Sequence, residues 1–408
     1  MISINNKAQC SGCSSCANIC PFQCISMEED REGFLYPKVD KEKCRQCGLC
    51  EAVCLSMNKP INENNNTVIG TYACIHKDEE VRLCSSSGGI FSLLAEDILK
   101  QNGIVYGVAM SKDCYGAEFI RVDDINRLYH LRGSKYLQAE IRDTYKLVKE
   151  DLENGLLVLF SGTGCQINGL KLFLKSKYDN LYCVDMICHG VPSPALWRKY
   201  VQVYEKQYGK LKTVNFRCKD KSWIDFGMKE DSLYISKDKD SYMQMFLNNY
   251  CLRPSCYECI SKEIKMSDMT IADFWGIEDI APEMEDGKGT SLVLIRTEKG
   301  RRIFNHIRTL LILKKVTYEE GIKKNPAEFE SPIKPIQRDT FFDDMNIVSF
   351  DELERKYLQN SSIGKVRKLI SRIFNGVRIK FHRGGVESAK NNEYGLLLKF
   401  ELENYVDL

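Results

Sequence analysis

The sequence predicts a small α+β domain built on paired cysteine runs, followed by a larger α/β domain with a mixed sheet. Three observations lead there. Two cysteine runs of matching spacing, CSGCSSCANICP at residues 10–21 and CRQCGLCEAVC at 44–54, open a chain of 408 residues. The stretch Asn58 to Thr67, NKPINENNNT, has almost no apolar side chains and reads as a flexible connector. From Val68 onward, β-branched and aromatic runs alternate with helical stretches, as expected where strands are crossed over by helices. The expected domains are residues 1–58, a linker at 59–67, a second domain at 68–345 and a helical, partly basic tail at 346–408.

In the first run the cysteines stand at Cys10, Cys13, Cys16 and Cys20, followed by Pro21; the second repeats the spacing at Cys44, Cys47, Cys50 and Cys54. Three thiolates on one tight loop can cap three corners of an iron-sulfur cubane, while the fourth leads away and reaches the other cluster. Cys10, Cys13, Cys16 and Cys54 are therefore expected to hold one [4Fe-4S] cluster, and Cys44, Cys47, Cys50 and Cys20 a second. Zinc, taking two C-x2-C pairs per tetrahedral site, would leave half of each run unexplained. Residues 5–57 resemble a bacterial two-cluster ferredoxin, with Leu55 where a proline usually follows the second run. Cys24 is an extra thiol suited to a small apolar position.

The totals narrow the class. With 58 Lys and Arg against 56 Asp and Glu, the formal charge is +2, which argues against nucleic acid as a partner. Nineteen cysteines without the charged-then-apolar build of a signal peptide point to metal ligation in a cytoplasmic protein rather than to disulfides.

In the second domain, VIGTYACI, IVYGVAM, LLVLFSG and LYCVDMI read as strands. SGGIFSLLAEDILKQN, GCQINGLKLFLKS and the segment from Ser193 to Tyr208 read as helices. Two strand-helix joints are rich in small residues, CSSSGG at 84–89 and SGTGCQ at 161–166. Small residues there suit either a close-approaching anion or ordinary turns and caps. The spacing matches neither standard nucleotide fingerprint. A third cysteine group is expected from Cys165, Cys188, Cys256 and Cys259, contributed by separate loops near strand ends, with Cys251 as the substitute; small buried residues are the alternative. His189 follows Cys188 and reads as a hydrogen-bonded structural histidine.

SSSGGIFSLLAEDI, LRGSKYLQ, VLFSGTGCQINGLKLFL, VDMICHGVPSP, LRPSCYEC and SDMTIADFWGI occur in this order after the cysteine runs. Together they resemble the coenzyme F-420 hydrogenase/dehydrogenase beta-subunit family over residues 5–345, most of all the bacterial branch often encoded among polysaccharide-biosynthesis genes. The resemblance implies that the larger domain binds FAD beside a third [4Fe-4S] cluster. It places Ser86, Ser87, Gly88 and Gly89 at the FAD pyrophosphate and Gly133, Ser134 and Lys135 along the flavin. Asp273 and Trp275 belong near the same cleft. Lys135, otherwise a solvated lysine, would stabilise a reduced, anionic flavin as the catalytic residue. Gly164 and Ala272 stand where the family usually has proline and glycine.

The expected function is an iron-sulfur flavoprotein oxidoreductase that passes electrons between ferredoxin-type clusters and FAD. A low-potential donor or acceptor and a two-electron substrate or carrier are its expected partners. The alternative is a non-catalytic redox adaptor for another enzyme. Residues 364–385 form a basic amphipathic stretch able to touch an anionic membrane surface, although such stretches are more often solvated helices.

Overall fold

Each cysteine run folds as a tight loop ending in a single helical turn, and small residues make the loop possible. Gly12, Ser14 and Gly48 take left-handed backbone, with φ of +70°, +59° and +76°. Helix α1 (Ser15–Ile19) follows the first loop and α2 (Leu49–Ala52) the second. Between them the hairpin of β1 (Ile25–Glu29) and β2 (Leu35–Val39) is antiparallel, with Ile25 opposite Val39. Ile2, Cys16, Cys20, Cys24, Ile25 and Cys50 form its small core. The computed structural model describes residues 1–58 and 67–359. The connector at 59–66 and the basic stretch at 364–385 lie outside them.

The larger domain begins with β3 (Gly70–His76), then α3 (Glu79–Leu83) and α4 (Ile90–Lys100). Next come β4 (Ile104–Met110), β5 (Ala117–Val122), the two-residue β6 (Ala139–Glu140) and α5 (Thr144–Glu153). β7 (Val158–Thr163) runs straight into α6 (Gly164–Leu174), and β8 (Leu181–Met186) precedes α7 (Pro194–Tyr208). Ser193 caps α7 by accepting from the Leu196 N–H, and Pro194 sits in the first turn, where no backbone donor is needed. A separate antiparallel sheet holds β9 (Val214–Cys218), β10 (Gly227–Glu230) and β11 (Leu233–Ser236), followed by α8 (Ser241–Leu247). The main sheet resumes with β12 (Met269–Asp273), α9 (Ile277–Ile280), β13 (Ser291–Ile295), α10 (Glu298–Ile307), β14 (Leu311–Val316) and α11 (Tyr318–Ile322).

The main sheet is mixed, in the order β14-β3-β13-β12-β8-β7-β4-β5-β6. Strands β12, β8, β7 and β4 run parallel, while β13 is antiparallel to both β12 and β3. Its central strands are buried on both faces, which is why they read as continuous apolar runs. Along β3 and β13 the alternation is strict. Cys74, Val293 and Ile295 face the core under α4 and α10, and Ala73, Ile75, Leu292 and Leu294 face the core beside α9. Helix α12 (Arg338–Ile347) runs through position 345, so a domain boundary there would cut a helix.

Residues 1–353 form one unit, in which the cysteine module packs on the larger domain. Arg338 makes a two-pronged ion pair with Glu32, Nη2 to Oε2 at 2.6 Å and Nη1 to Oε1 at 3.1 Å, with both residues buried. Gly169 on α6 lies so close to the first cysteine loop that a Cβ there would meet Ser15 Oγ at 2.6 Å and Cys13 Cβ at 2.9 Å. Among the described residues no helix is long and apolar enough to cross a membrane.

Candidate redox site

The eight N-terminal cysteines fall into two groups in space. Cys10, Cys13, Cys16 and Cys54 are mutual neighbours: burial first, then the nearby thiols Cys13, Cys10 and Cys54, holds the Cys16 proton well above the ordinary thiol range. Cys20, Cys44, Cys47 and Cys50 line one small cavity with Met1, Ile25 and Val39. Cys24 joins the same cavity, its sulfur 3.3 Å from that of Cys20, and burial pushes its thiol up to about 12. Among the described residues no three His, Cys, Asp or Glu converge on a single-ion site. Four thiols in each group are a donor set whose chemistry fits a cubane.

Cys165, Cys188, Cys256 and Cys259 all line a cavity of about 230 Å³. The fold explains each position. Cys165 is the second residue of α6, directly after β7, and Cys188 stands just past the end of β8, so both lie at the carboxyl edge of parallel strands. Cys256 and Cys259 come from two short 3-10 turns, Pro254–Cys256 and Ile260–Lys262, the latter preceded by Cys259. Burial, then Cys259, Cys188 and Cys256 among its neighbours, holds the Cys165 thiol protonated. Cys251 is not on this cavity. It is fully buried, and its carbonyl accepts from the Ser193 N–H. Gly164 is the first residue of α6, a position where a proline is equally at home.

The far wall of this cavity belongs to the cysteine module: Ala8, Gln9, Ser11 and Ser56 line it. Lys262 and Lys265 line it too, and Lys262 Nζ donates to the Cys188 carbonyl at 2.6 Å. Asp185 on the same wall is buried, which raises its carboxyl pKa, and accepts from Thr270 Oγ1 at 2.5 Å. His189 is held by Asn249, Nε2 to Oδ1 at 2.6 Å, and burial lowers its pKa.

The nine residues assigned to a flavin by resemblance gather farther along the same sheet edge, where β12 ends and β13 begins. Ser86 Oγ accepts from the Ser134 N–H at 2.8 Å, joining the SSSGG and RGSKY loops. Ser87 Oγ donates to the Thr290 carbonyl at 2.9 Å. Gly88 is fully engaged by protein: its N–H donates to Ser291 Oγ, its carbonyl accepts from His76, and a Cβ would meet Cys74 O at 2.4 Å. Gly89 caps α4 with φ of +90°. Gly133, φ +82°, has open space where a Cβ would stand. Lys135 Nζ donates to the carbonyls of His130 and Arg132 at 3.0 and 2.8 Å, and burial pushes its pKa down to about 7.

Asp273 pairs with Arg217 at 2.7 Å, and Trp275 stacks on Trp223 with ring centroids 4.7 Å apart. Arg217 is buried under these rings, and its Nε and Nη2 have no hydrogen-bond partner. Lys219 Nζ donates to the carbonyls of Arg82, Ser87 and Lys288. Arg217, Lys219 and Trp223 belong to none of the six sequence blocks, because they enter from strand β9 of the small sheet and the loop between β9 and β10. An open glycine, an uncompensated lysine and an arginine with orphaned donors fit a cofactor that carries anionic and carbonyl groups.

Residues 9–58 match the 4Fe-4S dicluster domain, and residues 156–320 match the family described as the C terminus of the coenzyme F420 hydrogenase/dehydrogenase beta subunit. Among curated proteins, the coenzyme F420-dependent sulfite reductase of Methanocaldococcus jannaschii is 23% identical over 323 residues. That match takes in 74% of this chain and 47% of the reductase, so the chain spans about half the length of that relative. One subunit of the F(420)H(2) dehydrogenase of Methanosarcina mazei is 20% identical over 313 residues, 73% of this chain and 82% of that one. A chain of the F420-reducing [NiFe] hydrogenase complex from Methanosarcina barkeri superposes with a TM-score of 0.44 at 15% identity, over 72% of this chain and 93% of that chain.

Proposed function

We propose, for a chain that joins a 4Fe-4S dicluster domain to a domain of the coenzyme F420 hydrogenase/dehydrogenase beta-subunit family, that it is an iron-sulfur flavoprotein oxidoreductase working as an electron relay. The observation that carries this reading is the cavity that four cysteines of the larger domain share with residues of the cysteine module. When bound, cubanes and a flavin would supply one-electron and two-electron chemistry. The chain's own residues do the holding and orienting. Cys10, Cys13, Cys16 and Cys54 would hold one cluster, Cys20, Cys44, Cys47 and Cys50 a second, and Cys165, Cys188, Cys256 and Cys259 a third. Ser86, Ser87, Gly89, Gly133 and Ser134 would line the flavin, with Asp273 and Trp275 at its cleft. Lys135 would place a positive charge there, and a bound anion would push its depressed pKa back up.

FAD as the flavin and a role in polysaccharide biosynthesis belong to the same proposal, which names no two-electron carrier. A second reading, in which the chain transfers electrons on behalf of a partner enzyme, is favoured by the Methanosarcina mazei relative, itself one subunit of a dehydrogenase.

Anaerobic reconstitution with iron, sulfide and flavin counts is the test. Three cubanes require about twelve iron atoms per chain, and Cys165→Ser or Cys188→Ser should lower the count to about eight while leaving the N-terminal clusters in place. Protein that binds eight irons and no flavin would end the relay reading.

A further inference from the structure

We propose that Arg253 biases the first cluster of the relay toward its reduced state, so that electrons collect beside the cavity of Cys165, Cys188, Cys256 and Cys259. The inference rests on reading Cys10, Cys13, Cys16 and Cys54 as ligands of a [4Fe-4S] cluster. Arg253 is fully buried, with 0% of its surface exposed. Its Nε donates to the Cys10 carbonyl at 2.7 Å, Nη1 to Gln138 Oε1 at 2.9 Å, and Nη2 to the Leu35 carbonyl at 2.9 Å. Nη2 also points at Cys10 Sγ, 3.5 Å away, and the guanidinium lies 4.3 Å from the Tyr36 ring centroid.

Every one of these partners is formally neutral in the chain alone. Burying a guanidinium among neutral groups is costly, and chains retain such a charge where an anion completes the site. A thiolate-bound cubane is that anion, and Cys10 brings it to Nη2. One electron from an external low-potential donor adds one unit of negative charge, with no bond made or broken. A fixed cation hydrogen-bonded to a ligand sulfur stabilises the more negative state more strongly, which raises the reduction potential. Gly12 shows that the approach is built in: its φ is +70°, and a Cβ there would meet Gln138 Nε2 at 2.4 Å and Arg253 Nη1 at 2.8 Å. The second cysteine group receives a neutral donor instead, the Ile2 N–H 3.4 Å from Cys50 Sγ, and Arg45 on its cavity is exposed. Arg253 also stands three residues before Cys256, so the same loop touches both cysteine groups.

The experiment is an EPR-monitored potentiometric titration of the anaerobically reconstituted full chain against Arg253→Gln and Arg253→Lys. At the potential where the first cluster is half reduced in the unsubstituted protein, Arg253→Gln should lower its reduced-to-oxidised ratio at least tenfold, about 59 mV for a one-electron couple. The other clusters should not move. Arg253→Lys keeps the charge but loses the fork, and a smaller fall in the same direction is expected; if Arg253→Gln does not retain iron, this variant alone decides. An unmoved ratio in an iron-loaded variant would overturn the inference while leaving the relay reading intact. An unsubstituted chain with fewer than about eight irons would overturn both.

Discussion

Lys135 and Glu230 show how burial changes what a side chain can do. Lys135 has two backbone carbonyls but no carboxylate beside it, and its lowered pKa follows from the loss of water. Lys135→Gln should leave the iron content unchanged and weaken flavin retention about tenfold, the scale of one charge-assisted hydrogen bond; flavin-to-protein ratios after desalting measure this. Glu230 is fully buried, and burial, with Asp240 next, pushes its carboxyl up to about 7 from 4.5. Tyr200 Oη lies 2.8 Å from Glu230 and 2.7 Å from Asp240. Its single proton satisfies one carboxylate, and the other contact needs a protonated acid. Because the folded pKa lies above the unfolded one, Glu230 contributes stability that is full below about pH 4.5 and is lost as pH rises through about 7. The loss is on the order of 3 kcal/mol. Glu230→Gln should flatten that decline, and thermal melts at pH 5 and pH 8 that remain as far apart as in the unsubstituted protein would disprove the assignment.

At the scale of elements, helix α6 links the sheet to the cysteine module. It begins with Gly164 and Cys165 beside the cavity, and one helical turn later Gly169 lies against Cys13. A larger residue at 169 has nowhere to go except into the first cysteine loop. Gly169→Val should therefore cost about 1–3 kcal/mol by overpacking and lower the melting temperature; under the proposed relay it should also slow electron transfer from the N-terminal clusters into the larger domain. A stopped-flow trace with unchanged rate would show that α6 does not set this spacing. The helix and its preceding strand were legible in SGTGCQINGLKLFL because apolar period and small-residue joint coincide. The role of Gly169 was not, since its constraint comes from a residue more than 150 positions away.

For the whole molecule, the question is what keeps the cysteine module against the larger domain. The Arg338–Glu32 pair spans 306 positions, and Arg338 also donates to the Leu252 carbonyl at 2.8 Å. Removing one partner leaves the other charge buried and alone, so Arg338→Ala should destabilise the protein by about 3–5 kcal/mol. The double variant Glu32→Ala/Arg338→Ala should recover part of that loss. Melts in which the two single variants and the double variant add without coupling would show that the pair does not hold the module. Part of this architecture could be read in advance: strands β3, β4, β7 and β8 and helices α4, α6 and α7 followed from apolar pattern and the paired loops from cysteine spacing, whereas the remaining strands were not named. The long-range polar contacts could not, because one arginine among 58 basic residues carries no local mark of burial.

The sequence by itself determined the ligand chemistry. Thiols at fixed short spacing on glycine-containing loops are a local property, since a loop of three or four residues can reach only what lies beside it. Tertiary structure alone put Cys165, and not Cys251, on one cavity with Cys188, Cys256 and Cys259, and it alone brought Arg217 to the Asp273 cleft and Arg253 to the first cysteine loop. Those outcomes depend on where sheet edges and distant loops meet, and contact between residues far apart in the chain is fixed by packing rather than by the residues' immediate neighbours.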